Sequence, residues 1–323
     1  MTPERARALL RDVVRARVLV VGDLMLDEHQ LGRTIRTCHE SNCPVVEIGA
    51  IRTYAGAAAN VACNVASLGA SAILIGSVGA DTEGARLLDL LRATPRLDLV
   101  PLDDPGRPTT RKSRVEVDGR PFARLDRESR LPLQGLALQT LRTAFTAALE
   151  EPPGCVILSD YDKGVLPAHV LPELIGQCRA RAVPCLVDPK KRDLSPYRGA
   201  TLLKPNRREL ENALSARSDA PSLQTLLSEL DGAQLLLTDG AAGMQLHRLH
   251  GAPLAYPAHR TTVADVIGAG DTAIATLGVL LAVGAALTEA ISLATVAAAI
   301  AVGKPGTATL TADEVLSTLA LGA

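Results

Sequence analysis

Ala264-Asp265-Val266-Ile267-Gly268-Ala269-Gly270-Asp271-Thr272-Ala273-Ile274-Ala275-Thr276-Leu277 decides how the rest of this chain is read. Gly268, Ala269 and Gly270 are too small to hold a loop by packing, and they stand directly before an apolar run, Thr272 to Ala285, that reads as a helix. Their amides should point out of its N-terminus, where unpaired N–H groups and the macrodipole together attract an anion. Asp271 is out of place at an anion site unless it has another task. Its chemical reading is a general base beside a phosphate cradle; its plain reading is a helix cap.

Working outward, Val18-Leu19-Val20-Val21 closed by Gly22-Asp23 reads as a buried parallel strand with functional groups at its C-terminal edge, where open α/β sheets place ligands. A helix from Gly56-Ala57-Ala58-Ala59-Asn60 to Leu68, a strand Ala72 to Val78 and a helix Glu83 to Arg92 follow. From Leu131 the rhythm resumes with a helix to Glu150, strand Cys155 to Asp160, helix Ala168 to Ala182, strands Cys185 to Asp188 and Thr201 to Lys204, and a helix from Arg207. Strands Gln234 to Thr238 and Met244 to Leu249 precede the opening element, and Leu287 to Val302 is a further helix. Two stretches break the pattern. Thr34 to Ile51 contains Pro44 and alternates only in part, and Pro108 to Asp126 alternates around the turn signal Asp118-Gly119. Together, residues 34–51 and 108–126 are expected to form a small β-flap. The expectation is a three-layer α/β/α sandwich with a mainly parallel central sheet, one domain over residues 1–323.

Composition narrows the function. Lys and Arg number 34 against 35 Asp and Glu, a net charge of −1, so no overall field favours nucleic acid or an anionic membrane. Four Tyr, two Phe and no Trp leave little to stack single-stranded bases. The six cysteines show no C-x-x-C pair, and Cys155 and Cys185 lie in apolar runs, which suits reduced structural thiols in a cytoplasmic protein. No secretory leader or membrane-spanning stretch is read.

Gly56 to Gly79 and Asp265 to Asp271 resemble the two signatures of the ribokinase (PfkB) family of sugar kinases, in the right order. The longer runs Val20 to Asp27, Leu158 to Leu166, Val187 to Lys190, Tyr197 to Glu209 and Val302 to Thr309 are similar to the heptose 7-phosphate kinases of that family. The resemblance implies a ribokinase-like fold and ATP-dependent phosphorylation of a sugar, with Mg²⁺. It implies that Asp271 takes the proton of the anomeric hydroxyl while the amides of Gly268, Ala269 and Gly270 hold the charge on the transferred group. Asn206 and Glu209 match the family's Asn-x-x-Glu motif for metal and phosphate, although the same pair can be a capping box. Lys204, Thr238, Gly240 and Gly243 fall on the nucleotide side, and Gly303 and Gly306 in the adenine-side loop.

For the acceptor, Asp23 and Asp27 are the candidate hydroxyl partners, Gly56 lets the backbone approach the ring, and Asn60 can bond hydroxyls. A phosphorylated sugar needs further cations. Arg111, Lys112, Arg124, Lys163 and Lys190 are candidates, with Lys163 and Lys190 favoured because they stand inside the similar runs. Ala57, Ile267, Asp162, Lys191 and the run Cys38 to Cys43 depart from the family's usual residues; Ala57 adds a methyl near the sugar and Ile267 removes a hydroxyl near the phosphate. The resemblance further implies a homodimer through the flap, whose edge carries Val45, Val46 and Ile48; the nucleotidyltransferase domain fused to some of these kinases is not expected in this chain. Rival readings are a kinase of ribose or fructose and a sugar-binding protein without turnover.

Overall fold

The computed structural model describes residues 1–216 and 222–321. Helix α1 (Pro3–Asp12) leads to strand β1 (Arg17–Gly22), and one residue later β2 (Leu24–Thr37) begins, returning as β3 (Pro44–Ala57) straight into α2 (Ala58–Ser67). Then come β4 (Ser71–Ser77), α3 (Thr82–Arg92), β5 (Leu97–Leu102) and the hairpin β6 (Thr110–Val117) and β7 (Arg120–Arg127). The chain continues through α4 (Gly135–Ala148), β8 (Cys155–Asp160), α5 (Leu171–Ala180), β9 (Cys185–Pro189), β10 (Leu202–Leu203), α6 (Arg207–Ser215), α7 (Leu223–Glu229) and β11 (Gln234–Thr238). Last are β12 (Met244–His247), β13 (Leu254–Tyr256), α8 (Ala269–Ala282), α9 (Leu287–Val302) and α10 (Ala312–Leu321).

Among the described residues, nine strands form one sheet in the order β13-β12-β11-β10-β9-β8-β1-β4-β5. Its pairs are parallel from β11 to β5, and only β12 and β13 run antiparallel. The two-residue period of β1 explains the layers. Val18 and Val20 pack with Val61, Leu277 and Ile291 on one face, while Leu19 and Val21 pack with Leu141, Phe145 and Leu174 on the other. Both faces are thus covered by helices, as the alternating sequence requires. The fold expectation is borne out, and the C-terminal strand ends bring Asp23, Tyr161, Lys190, Lys204 and Thr238 to one edge.

The flap is a separate four-stranded sheet ordered β3-β2-β6-β7. It reaches further than residues 34–51, since β2 starts at Leu24 and β3 runs to Ala57, where both are buried as core. The acidic and basic residues of Asp27 to Arg36 hide this continuity in the sequence. The Asp118-Gly119 turn is present, with both residues at positive φ, 53° and 74°. Helix α8 begins three residues before Thr272, because Gly268 sits in the left-handed conformation that caps it. All six cysteines are free, Cys155, Cys178 and Cys185 being buried. No helix among the described residues is long and apolar enough to cross a membrane.

Candidate active site

Asp271 lies in the first turn of α8 and is 3% exposed. Its Oδ1 accepts a hydrogen bond from the Tyr161 hydroxyl at 2.7 Å and its Oδ2 one from Asn60 Nδ2 at 2.9 Å. Burial, and then the charge of Asp188, push its carboxyl up to about 6 against these two donors. Such a group is ionised at neutral pH yet able to take a proton. Gly268 must be glycine: its φ is 78°, and a Cβ would come 2.8 Å from Asn60 Nδ2. The first amides of α8 have no partner within the helix, so an anion placed there meets both them and the helix dipole.

Two cavities meet at this turn. One, of about 200 Å³, is lined by Tyr161, Asp188, Lys190, Lys204, Asn206, Glu209, Thr238, Gly268, Gly270 and Asp271. The other, of about 430 Å³, is more apolar, runs over Gly240, Gly243, Met244, Ala273, Ala299 and Val302, and shares Thr238 and Gly270 with the first. A polar slot opening into an apolar chamber suits a phosphate chain followed by a base. The slot is lined by three carboxylates, Asp188, Glu209 and Asp271, and two lysines, Lys190 and Lys204. Asp188 receives Lys190 Nζ at 3.0 Å on Oδ1 and has Lys204 Nζ 3.3 Å from Oδ2; Lys190 also reaches Glu209 Oε1 at 2.7 Å. Burial would raise the Asp188 carboxyl, but the two ammoniums outweigh it and hold it below the usual carboxylate range. Asn206 and Glu209 form the capping box of α6, each side chain 2.8 Å from the other's backbone N–H, while lining the slot. Gly303 follows Val302, and a Cβ on it would come 3.2 Å from Thr261, another lining residue; Gly306 instead faces the Tyr54 ring of β3.

On the other side of Asp271 the flap presents Asp27, whose Oδ1 accepts from Arg114 Nη1 at 2.8 Å. A Cβ on Gly56 would come 2.5 Å from Asp27 Oδ2, so the glycine makes room for this carboxylate. Asp23, expected to bind sugar hydroxyls, is turned to backbone amides. It is 1% exposed, and its carboxylate accepts the amides of Tyr161 and Lys163 on Oδ2 and of Val165 on Oδ1, clamping the loop that delivers Tyr161. Asn60 likewise spends its side chain on protein, donating to Asp271 and accepting from Asn64 Nδ2 at 3.0 Å. Lys163 is paired with Glu128 at 2.8 Å, and Arg124 with Asp126 at 2.9 Å. Lys190, expected at the distal end of the sugar, lines the polar slot beside Asp188 and Glu209. Some of these partners are distant in sequence, as for Asp23, Asn60 with Asp271 and Lys163, and others are near, as for Arg124 with Asp126. Tyr161, which sequence reasoning passed over, stands between the halves of the site, with Lys112 Nζ 5.3 Å and Lys190 Nζ 5.1 Å from its ring centre. Its only signal was its place in the run Leu158 to Leu166.

A sequence profile of pfkB family carbohydrate kinases matches residues 16–314. Among curated relatives, the "Bifunctional protein HldE" of Nitrobacter hamburgensis is 41% identical over 304 residues, covering 92% of this chain and 62% of its own. The protein of that name from a Caulobacter species is 43% identical over 307 residues, with 93% and 62% covered. The chain thus spans less than two thirds of the length of these relatives. Among solved structures, phosphofructokinase-2 of Escherichia coli superimposes with a TM-score of 0.73 at 20% identity, covering 95% of this chain and 98% of its own. Ribokinase of Thermotoga maritima does so with a TM-score of 0.73 at 19% identity, covering 94% and 99%. At such identities these two speak for the fold alone.

Proposed function

The chain belongs to the pfkB family of carbohydrate kinases, and on that premise we propose that it transfers the γ-phosphoryl group of ATP to the C1 hydroxyl of D-glycero-β-D-manno-heptose 7-phosphate. The acceptor is favoured by the long runs similar to heptose 7-phosphate kinases, and by relatives about 40% identical over nearly the whole chain. The observation that carries the chemistry is Asp271, buried between two hydrogen-bond donors where the phosphate slot meets the flap side of the site.

In this reading Asp271 accepts the proton of the C1 hydroxyl as that oxygen bonds to phosphorus and ADP leaves. Asn60 and Tyr161 fix the carboxylate and stabilise it before the proton arrives. The amides of Gly268 to Gly270 face the charge that builds on the phosphoryl oxygens, and Lys190 and Lys204 add positive charge to the slot. Mg²⁺, when bound, neutralises phosphate charge. Glu209 and Asn206 would hold it through water, since their oxygens already serve the capping box and Lys190. Among the described residues no three His, Cys, Asp or Glu converge as a metal cage, and Mg²⁺ bound to nucleotide commonly needs only one or two carboxylates.

The test is ATP consumption with heptose 7-phosphate. Asp271→Asn should lower kcat by at least about 10³-fold with little change in acceptor KM. Equal rates in the variant, or a wild type that turns over only ribose or fructose, would remove the reading. A homodimer through the outer edge of β3 is part of the proposal; Ile48 and Ile51 are exposed there, as is Ile35 on β2.

A further inference from the structure

Among the described residues, the flap side of the site holds a lysine with no carboxylate partner. All six lysines are described, and five have a carboxylate within 4.0 Å: Lys163, Lys190, Lys191, Lys204 and Lys304. Among the described residues Lys112 has none. It is half-buried on β6, two residues from Arg114 on the same face of the strand, in register with Asp27 on β2 and with Asp126 on β7, whose carboxylates are paired with Arg114 and Arg124. Its one close partner is the face of Tyr161, at 5.3 Å. A cation–π contact of about 1 kcal/mol offsets only part of the cost of taking an ammonium out of water. Burial, with Arg124 and Lys163 nearby, pushes the ammonium below the ordinary lysine range, against the pull of Asp27 and Asp126, which are already paired with Arg114 and Arg124. This corner of the site is short of negative charge.

The position also fits. The Tyr161 ring lies under Lys112 and its hydroxyl touches Asp271, so one tyrosine side chain separates the ammonium from the base. A hexose or heptose carries its terminal phosphate roughly that far from C1. We propose that Lys112 binds the phosphate monoester at the far end of the acceptor, so that this flap lysine selects phosphorylated over free sugars. The proposal rests on the sugar-phosphate reading above and names the group that recognises the phosphate.

The experiment compares kcat/KM for heptose 7-phosphate and for free heptose in wild type, Lys112→Gln and Lys112→Arg. Wild type should prefer the phosphate, and Lys112→Gln should cut that preference about 30-fold, mainly through the KM of heptose 7-phosphate. Lys112→Arg should restore most of it, which loss of packing alone would not explain. A preference that moves less than about threefold in Lys112→Gln overturns the assignment while leaving the acceptor intact. A wild type that prefers the free sugar overturns both.

Discussion

A buried carboxylate that titrates near 6 acts as a base only above that pH. With Asp271 at about 6, kcat/KM should fall about tenfold per unit as pH drops below 6 and level off above it. Tyr161 donates to the ionised form, so Tyr161→Phe should move this acid limb upward by about one unit and lower kcat about tenfold. A pH–rate profile of both proteins checks the pair; an unmoved limb would mean that the hydroxyl does not stabilise the base. Stability runs in the opposite sense to activity. The folded value lies above the unfolded one, near 4, so the native state binds the extra proton between about pH 4 and 6 and loses stability as pH rises through that window. Asp271→Asn should therefore stabilise the fold above pH 6 by about 2 kcal/mol, allowing for a weakened Asn60 contact, and give no gain below pH 4. Urea unfolding at pH 3.5 and 7.5 separates the two cases.

Local backbone shape carries its own record of the site. Ala57, which caps α2, holds φ 53° and ψ −129°, a conformation that favours glycine. Ala57→Gly should raise unfolding stability by about 1 kcal/mol, read as a higher urea midpoint. The sequence marked this residue as a departure but could not show its backbone angles. Legibility follows the same line elsewhere. β8, β11 and α9 appear with the limits read from the sequence, because continuous apolar runs end at Gly, Pro or charged residues. β5, interrupted by Asp98 and Pro101, and β13, three residues long, gave no periodic signal. Asp271 and its glycines were legible because the anion loop is contiguous. The partners of Lys163 and Lys190 were not legible, because Glu128 and Glu209, which engage them, stand 35 and 19 residues away in sequence. Lys112 was named as a candidate but ranked below Lys163 and Lys190, because the absence of a partner has no sequence signature.

At the scale of the whole molecule, β3 forms an outer edge of the flap sheet, with Ile48 38% exposed. Sedimentation at micromolar concentration should give twice the 33.8 kDa chain mass, and Ile48→Glu should shift the protein to the monomer. A wild type that sediments as a monomer sinks the dimer. The attachment of the flap matters as much as its edge. One residue, Asp23, separates β1 from β2, and none separates β3 from α2. The Asp23 carbonyl accepts the Ala58 amide while its carboxylate holds the loop of Tyr161. The flap has no hinge at its root. It is a cantilever: bending can grow toward the tip at residues 38–43, but Asp27 and Gly56 sit at the fixed end and stay in register with Asp271 whatever the free end does.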